Sequence, residues 1–277
     1  MPELPELEIL RRDLDKDTAG KKIKSVEVTS DHILTRQNAA DFASQLEGKK
    51  VVAVHRRATW IIIEVEEDLL IVIELGTGGQ LRRHANKDAI EESTEINIAF
   101  TQTGQLRIRD LDGEAEVFVT DKERVVEELP ALTNLGLDPV AEPISWTAFG
   151  RMLLERDAKL KAVLMDPTFL VGIGLLYSDE ILFEAGLRYD RISSSLSTQE
   201  VRRLYRAVVE KIHDAMKYGG TTLDDGKFLN IRGEPGDFAQ YVNVYGKHGE
   251  MSPRARGVIK RSKFAGNWTY YCEQTQV

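Results

Sequence analysis

One cysteine, Cys272, stands in 277 residues. A lone thiol excludes an internal disulfide framework and fits a reducing compartment. It also excludes a cysteine-rich structural zinc site within one chain. Long apolar runs are missing too. The stretch "LLIVIELG", Leu69 to Gly76, is far too short to span a bilayer. The amino terminus carries no signal-peptide pattern, so a cytoplasmic protein without a membrane partner is expected. Cationic excess is absent: 37 Lys and Arg against 45 Asp and Glu leave a net charge of −8. That balance argues against bulk attraction to a phosphate backbone. No internal repeat and no low-complexity tract is present, which removes solenoid architectures.

What is there is an ordinary globular composition, 42% hydrophobic and 30% charged, long enough for one large domain or two modest ones. Charge is unevenly spread. Lys247, Arg254, Arg256, Lys260, Arg261 and Lys263 face only Glu250 and Glu273 beyond Tyr241, whereas acids dominate from Lys87 to Pro130. One end of the molecule is a basic face, and the other repels nucleic acid.

Seven stretches are β-branched, often alternating, and punctuated by "EGKK", "EED", "GTGG" and "QTGQ". They predict strands over 22–28, 49–55, 59–65, 69–75, 95–100, 105–109 and 116–119. "PELEILRRDLDKDTAG" predicts a helix ending at Gly20. Beyond "LGLDPVAEPI" the rhythm turns helical. Ser145 is a candidate N-cap, 168–187 is a second helical stretch, and 197–220 is a third, ending at Gly219–Gly220. The expected fold class is α+β: an N-terminal β-sandwich carrying a helix, then helices, then a basic tail. The expected divisions are 1–130, 131–240 and 241–277.

The opening "MPELPELE" carries the sharpest chemistry. Pro2 is either an N-terminal kink or, once Met1 is removed, a free secondary amine. An α-amino group titrates near pH 8, roughly, so a neutral fraction exists at physiological pH. Such an amine attacks an aldehyde carbon to give an iminium, and Glu3 and Glu6 stand ready to move protons. Gly172 and Gly174 in "LVGIGLLYSDEILFEAGL" permit either a phosphate-binding helix start or a buried helix beginning. Lys159 and Lys161 just before that turn read as phosphate contacts or as a solvated helix end.

Taken together, "PELPELE", "LGLDP", "KAVLMDPTFLVGIGLLYSDEILFEAGL", "GGTTLDD", "GEPGDFAQYVNVYGKHGE" and "TYYC" resemble, in order, the Fpg/Nei family. That family comprises formamidopyrimidine-DNA glycosylases and endonuclease VIII-like enzymes, and the resemblance spans essentially the whole chain. It implies a β-sandwich, a helix–two-turns–helix domain and a C-terminal finger. It also implies that Pro2 attacks C1′ of a damaged nucleotide flipped out of the duplex, releases the base and cleaves the strand by elimination. Glu3 matches the acid/base and Glu6 the second family glutamate. Lys161, Gly174 and Tyr177, with Lys260 and Arg261 in the finger, are the candidate DNA contacts. Damaged or abasic DNA, including single-stranded DNA, is the implied partner of a monomer.

The chain departs from the family pattern at several matched positions. Thr59 replaces a lysine, Leu175 an asparagine, and Thr77 a methionine wedge. Gly113 and Glu114 fall where an Arg-Phe pair fills the gap left by the flipped base, and Asn267 where the finger presents an arginine. Of two Cys-x-x-Cys pairs, Ser252, Ala255 and Thr275 replace three members and only Cys272 survives. No metal and no cofactor are therefore expected, in a zincless finger. Two functions stay open. One is a glycosylase/AP lyase divergent in lesion recognition. The other is a catalytically impaired member acting as a binding or regulatory protein, with weak or altered DNA binding.

Overall fold

A computed structural model describes residues 2–277. Contacts gather the chain into two units, Met1–Thr133 with Tyr218–Ala239, and Asn134–Lys217 with Gln240–Val277. Residues 218–239, which the sequence reading set in the middle segment, thus make their contacts within the first unit, and the C-terminal hairpin makes its contacts with the helices.

The first unit begins with helix α1 (Leu4–Thr18) and strand β1 (Ile23–Val28), then α2 (Ala39–Leu46), whose N-cap Asn38 accepts from the Asp41 backbone N–H. Strands follow as β2 (Val51–Arg57), β3 (Trp60–Val65), β4 (Leu69–Glu74), β5 (Gly79–His84), β6 (Thr94–Phe100), β7 (Gln105–Asp110) and β8 (Glu116–Asp121), and a short α3 (Val125–Glu128). They form two four-stranded antiparallel sheets, ordered β1-β6-β7-β5 and β2-β3-β4-β8. Ile61, Ile63, Ile71 and Ile73 meet Leu81, Ile96, Ile98, Leu106 and Ile108 between them. Alternation of side chains across each strand makes that inner face continuous. Leu7, Leu10 and Leu14, at helical spacing on α1, join the same core, as do Phe228 and Ile231 from the returning segment.

Strand β5 is the element the sequence reading omits. Only Leu81 of "GQLRRH" enters the apolar core, and Gln80 and Arg82 instead lie beneath residues 227–233. A strand covered by loops need not look β-branched.

In the second unit α4 (Trp146–Leu154), α5 (Leu160–Leu164), α6 (Leu175–Ala185) and α7 (Thr198–Lys217) precede hairpin strands β9 (Lys260–Phe264) and β10 (Asn267–Tyr271). The expected helix over 168–187 begins only at Leu175, because Gly172 turns the chain at φ +68° just before it. Left-handed Gly186 ends it. Ser197 donates to and accepts from Glu200 at the start of α7, so the expected cap is present.

Candidate active site

Pro2 is buried directly before α1, and Glu3 is the N-cap of that helix. The Glu3 backbone N–H donates to Glu6 Oε2 at 3.1 Å, the capping-box arrangement that ties position N3 to the cap. The other Glu6 oxygen accepts from the Thr221 backbone N–H at 2.8 Å. Glu6 is 3% exposed and Glu3 8%. Glu6 therefore anchors the start of α1 to the 218–239 segment. Gly220 permits that approach: at φ +85° a Cβ would stand 3.2 Å from Glu6 Cγ and 2.7 Å from the Phe228 ring. Met1, whose removal the proline chemistry requires, lies outside the described residues.

One turn on, Glu8 holds three guanidinium groups: Arg56 Nε at 3.1 Å, Arg12 Nε at 3.0 Å, and Arg11. Burial pushes its carboxyl up, but the hydrogen bonds and charges of Arg11 and Arg56 outweigh this and hold it below 4.5. This cluster fixes α1 on strand β2.

A small pocket opens on Pro2, lined also by Leu7, Thr59, Glu74, Leu75 and Gly76. Glu74 is the residue the sequence reading missed. It closes β4 directly opposite Trp60 on β3. The Trp60 indole N–H donates to its Oε2 at 3.1 Å, and the Thr59 hydroxyl reaches Oε1 at 3.5 Å. The signal was present: the "EED" turn between "WIIIEV" and "LLIVIE" sets a register that brings Trp60 to Glu74.

Next to Gly76, Thr77 and Glu114, expected from the sequence to depart from the family pattern, are bonded to each other. The Thr77 backbone N–H donates to Glu114 Oε2 at 3.1 Å, and its hydroxyl donates to the same oxygen. The loop bearing Gly113 and Glu114 is itself fixed, because Asp110 accepts from the N–H groups of Gly113 and Ala115, each at 2.9 Å. Gly76 at φ +56° allows the closeness, since a Cβ there would stand 2.7 Å from Glu114 Cβ.

The candidate DNA contacts of the second unit divide. Lys161 is 0% exposed and Tyr177 1%, so neither presents a surface to a backbone phosphate. Lys161 Nζ donates to Asp179 at 2.5 Å and to the Leu175 carbonyl at 3.1 Å. Asp179 also accepts from the Thr269 hydroxyl at 2.5 Å and the Tyr270 N–H at 2.9 Å. Burial pushes the Asp179 carboxyl up, and Lys161, Thr269 and Tyr270 oppose it. The lysine predicted as a DNA contact is thus half of a buried pair joining α5, α6 and the hairpin. Glu180 does similar work, accepting from the backbone N–H groups of Asn243, Val244 and Tyr245. Gly174, half-buried in extended conformation, is the N-cap of α6.

Lys260 and Arg261 are exposed on β9, as a surface contact needs. Lys260 is paired with Glu273 at 2.5 Å. The Arg261 guanidinium lies 4.2 Å from the Trp268 ring centre and Lys263 Nζ 4.1 Å from it. Asn267, at the hairpin turn, bonds the Ala265 carbonyl at 3.3 Å.

Residues 1–113 match the model of the formamidopyrimidine-DNA glycosylase N-terminal domain, and residues 135–226 match that of the formamidopyrimidine-DNA glycosylase H2TH domain. A formamidopyrimidine-DNA glycosylase from Bacillus cereus is 32% identical, over 98% of this chain and 98% of its own. One from Pelotomaculum thermopropionicum is 29% identical over 100% and 99% of the two chains. Among solved structures, Lactococcus lactis Fpg with abasic-site DNA superposes with a TM-score of 0.89 at 26% identity, covering 99% of each chain. A Lactococcus lactis Fpg mutant with Fapy-dG DNA gives 0.90 at 26% identity, again covering 99% of each. The full-length match in sequence and fold places this chain in the Fpg/Nei family of formamidopyrimidine-DNA glycosylases and endonuclease VIII-like enzymes.

Proposed function

We propose that this protein is a base-excision DNA glycosylase with AP lyase chemistry, in which Pro2, freed of Met1, is the nucleophile. The observation that carries the reading is the seating of Pro2 at the head of α1. Glu3 caps that helix, and Glu6 spends both carboxylate oxygens on holding the cap and Thr221. A nucleophile fixed in this way has little freedom to lose at the moment of attack. Glu3 serves as the acid/base, and Glu6 as the positioning residue.

The chemistry balances without a cofactor. The proline nitrogen bonds to C1′ of the ring-opened abasic sugar, and the aldehyde oxygen departs as water, leaving an iminium. Loss of a C2′ proton then expels the 3′ phosphate by elimination.

Its partner is damaged or abasic DNA, with unpaired or single-stranded sites preferred. Thr77 and Glu114 are committed to each other, and neither carries an aromatic or long apolar group to enter a base stack. Opening an intact stack costs a few kcal/mol, roughly, and an unpaired site avoids it. Lys260 and Arg261 supply exposed cations to that DNA. The finger holds its hairpin without zinc, and the lone buried Cys272 suits a monomer of a reducing cytoplasm.

A second reading has its own support. Glu74 and Glu114 set negative charge at the pocket and its rim, which suits a binding or regulatory protein of weakened DNA affinity. Borohydride trapping separates the two. With Met1 confirmed absent by intact mass, an abasic site in single-stranded DNA should give a covalent adduct that disappears when the terminus is blocked. No adduct on any abasic substrate would transfer the assignment to the second reading.

A further inference from the structure

We infer that Glu74 is the carboxylate partner of the Pro2 nitrogen, taking up its proton before attack and balancing the positive charge of the iminium afterwards. The inference rests on the lyase reading above and assigns that site an additional residue.

Three observations converge on it. Among the described residues lining the Pro2 pocket, Glu74 is the one carboxylic side chain. Its side chain is held by the Trp60 indole at 3.1 Å and by the Thr59 hydroxyl, another residue of the pocket lining, at 3.5 Å. Among the described residues it takes part in no ion pair. A carboxylate has about four lone-pair sites, and two donors leave room for a proton from Pro2.

The other charged groups nearby are engaged elsewhere. Glu6 accepts from Glu3 and Thr221, and Glu3 caps the helix. Arg56 on β2 donates to Glu8 and the Ala58 carbonyl. Glu114 is taken by Thr77.

The step balances. The protonated secondary amine passes one proton to Glu74, and its freed lone pair bonds to the aldehyde carbon. The remaining N–H proton moves to the oxyanion of the adduct, giving the neutral carbinolamine with its hydroxyl. Glu74 returns its proton to that hydroxyl, which departs as water. The carboxylate, charged again, then stands beside the iminium cation. An opposite charge at such a site favours the cationic form by about one to three pKa units, roughly.

Glu74→Gln keeps an acceptor for Trp60 and removes only the charge. The test measures borohydride trapping against pH, on an abasic single-stranded oligonucleotide, with Met1 confirmed absent. The half-maximal pH should fall by about one unit, because the unassisted amine deprotonates more easily. Yield at the plateau should fall about tenfold, because proton transfer and charge balance are lost together. Glu74→Asp, which keeps the charge, should restore the wild-type midpoint. Glu74→Met, packed on Trp60, carries the same test should the glutamine variant fold poorly. A neutral variant that traps with the wild-type midpoint and yield overturns the inference while leaving the lyase reading standing. Absence of trapping by the wild type itself would remove the lyase reading, and this inference with it.

Discussion

The head of α1 and the C-terminal hairpin are held together in opposite ways. At α1 Pro2, Glu3 and Glu6 sit at the head of the helix, and the departures expected from the family resemblance, Thr59, Thr77 and Glu114, lie around them. At the hairpin the strands β9 and β10 are present, and Ser252, Ala255, Thr275 and Asn267 fall where the family resemblance implies metal or phosphate contacts. The difference teaches where each region keeps its information. On the proposed lyase reading, chemistry at α1 depends on the particular atoms of Pro2, Glu3 and Glu6. The hairpin depends on being anchored, and anchoring has many solutions. Here Asp179 receives Thr269 and Tyr270, while Phe183, Val244, Ile259 and Cys272 form an apolar cluster beneath.

The hardest blow to that anchoring is Asp179→Asn. It leaves Lys161, 0% exposed, as a buried charge without its counter-ion. Removing one partner of a buried pair costs about 3–5 kcal/mol. Urea denaturation followed by circular dichroism should show a loss of that order, and the double change Lys161→Met with Asp179→Leu should recover most of it. A single variant within about 1 kcal/mol of wild type would mean the hairpin is held by its apolar cluster alone.

A smaller effect tests the α1 side. The Glu8 carboxyl lies below its reference value of 4.5 when folded. A depressed carboxylate contributes stability above its unfolded value and loses it as pH falls through the folded one. Arg56→Met removes one of the groups that depress it. The Glu8 share of the acid limb should therefore be smaller and end at a higher pH, and the neutral plateau should drop by about 2 kcal/mol, the worth of a charge-assisted hydrogen bond with its burial. An acid limb unmoved by the substitution would place the stabilisation of Glu8 on Arg11 and Arg12.

Strands β1 to β4 and β6 to β8 were legible because their apolar residues are β-branched and set off by turns, and this pattern survives without knowledge of the partner strand. Strand β5 was not, because loops rather than apolar packing cover its outer face. Pro2, Glu3 and Glu6 stood out as candidates because the chemistry proposed for them is local to eight residues. The burial of Lys161 was not legible for the opposite reason: its partner Asp179 lies eighteen positions away, and a buried and a solvated lysine look alike in sequence. Nor was that of Tyr177, in the first turn of α6. Glu74 escaped notice because its meaning depends on register with Trp60, a relation between strands.

The smallest expected effect is none at all, and it bears on the hairpin's independence of metal. Ser252, Ala255 and Thr275 cannot supply three thiolates, and Cys272 is 1% exposed among Phe183, Val244 and Ile259. Its backbone N–H donates to Gln276 Oε1 at 2.8 Å, while Gln276 Nε2 reaches the Leu187 carbonyl at 2.8 Å. Burial pushes the thiol up, yet hydrogen bonds from Ser252 and Thr275 prevail and bring it below 9.0. A lowered thiol beside hydroxyls is a hydrogen-bond acceptor, and one thiolate does not close a tetrahedral site. Structural zinc contributes about 10–16 kcal/mol of apparent folding free energy in small zinc fingers. Its removal would thus be unmistakable. Chelator should leave the melting temperature unchanged, and elemental analysis should find no stoichiometric zinc. Cys272→Ser should cost about 1–2 kcal/mol through lost packing, equally with and without chelator. About one zinc per chain, released by chelator with a fall in melting temperature, would show that metal holds the hairpin, with His248 and Cys272 as the first ligands to test.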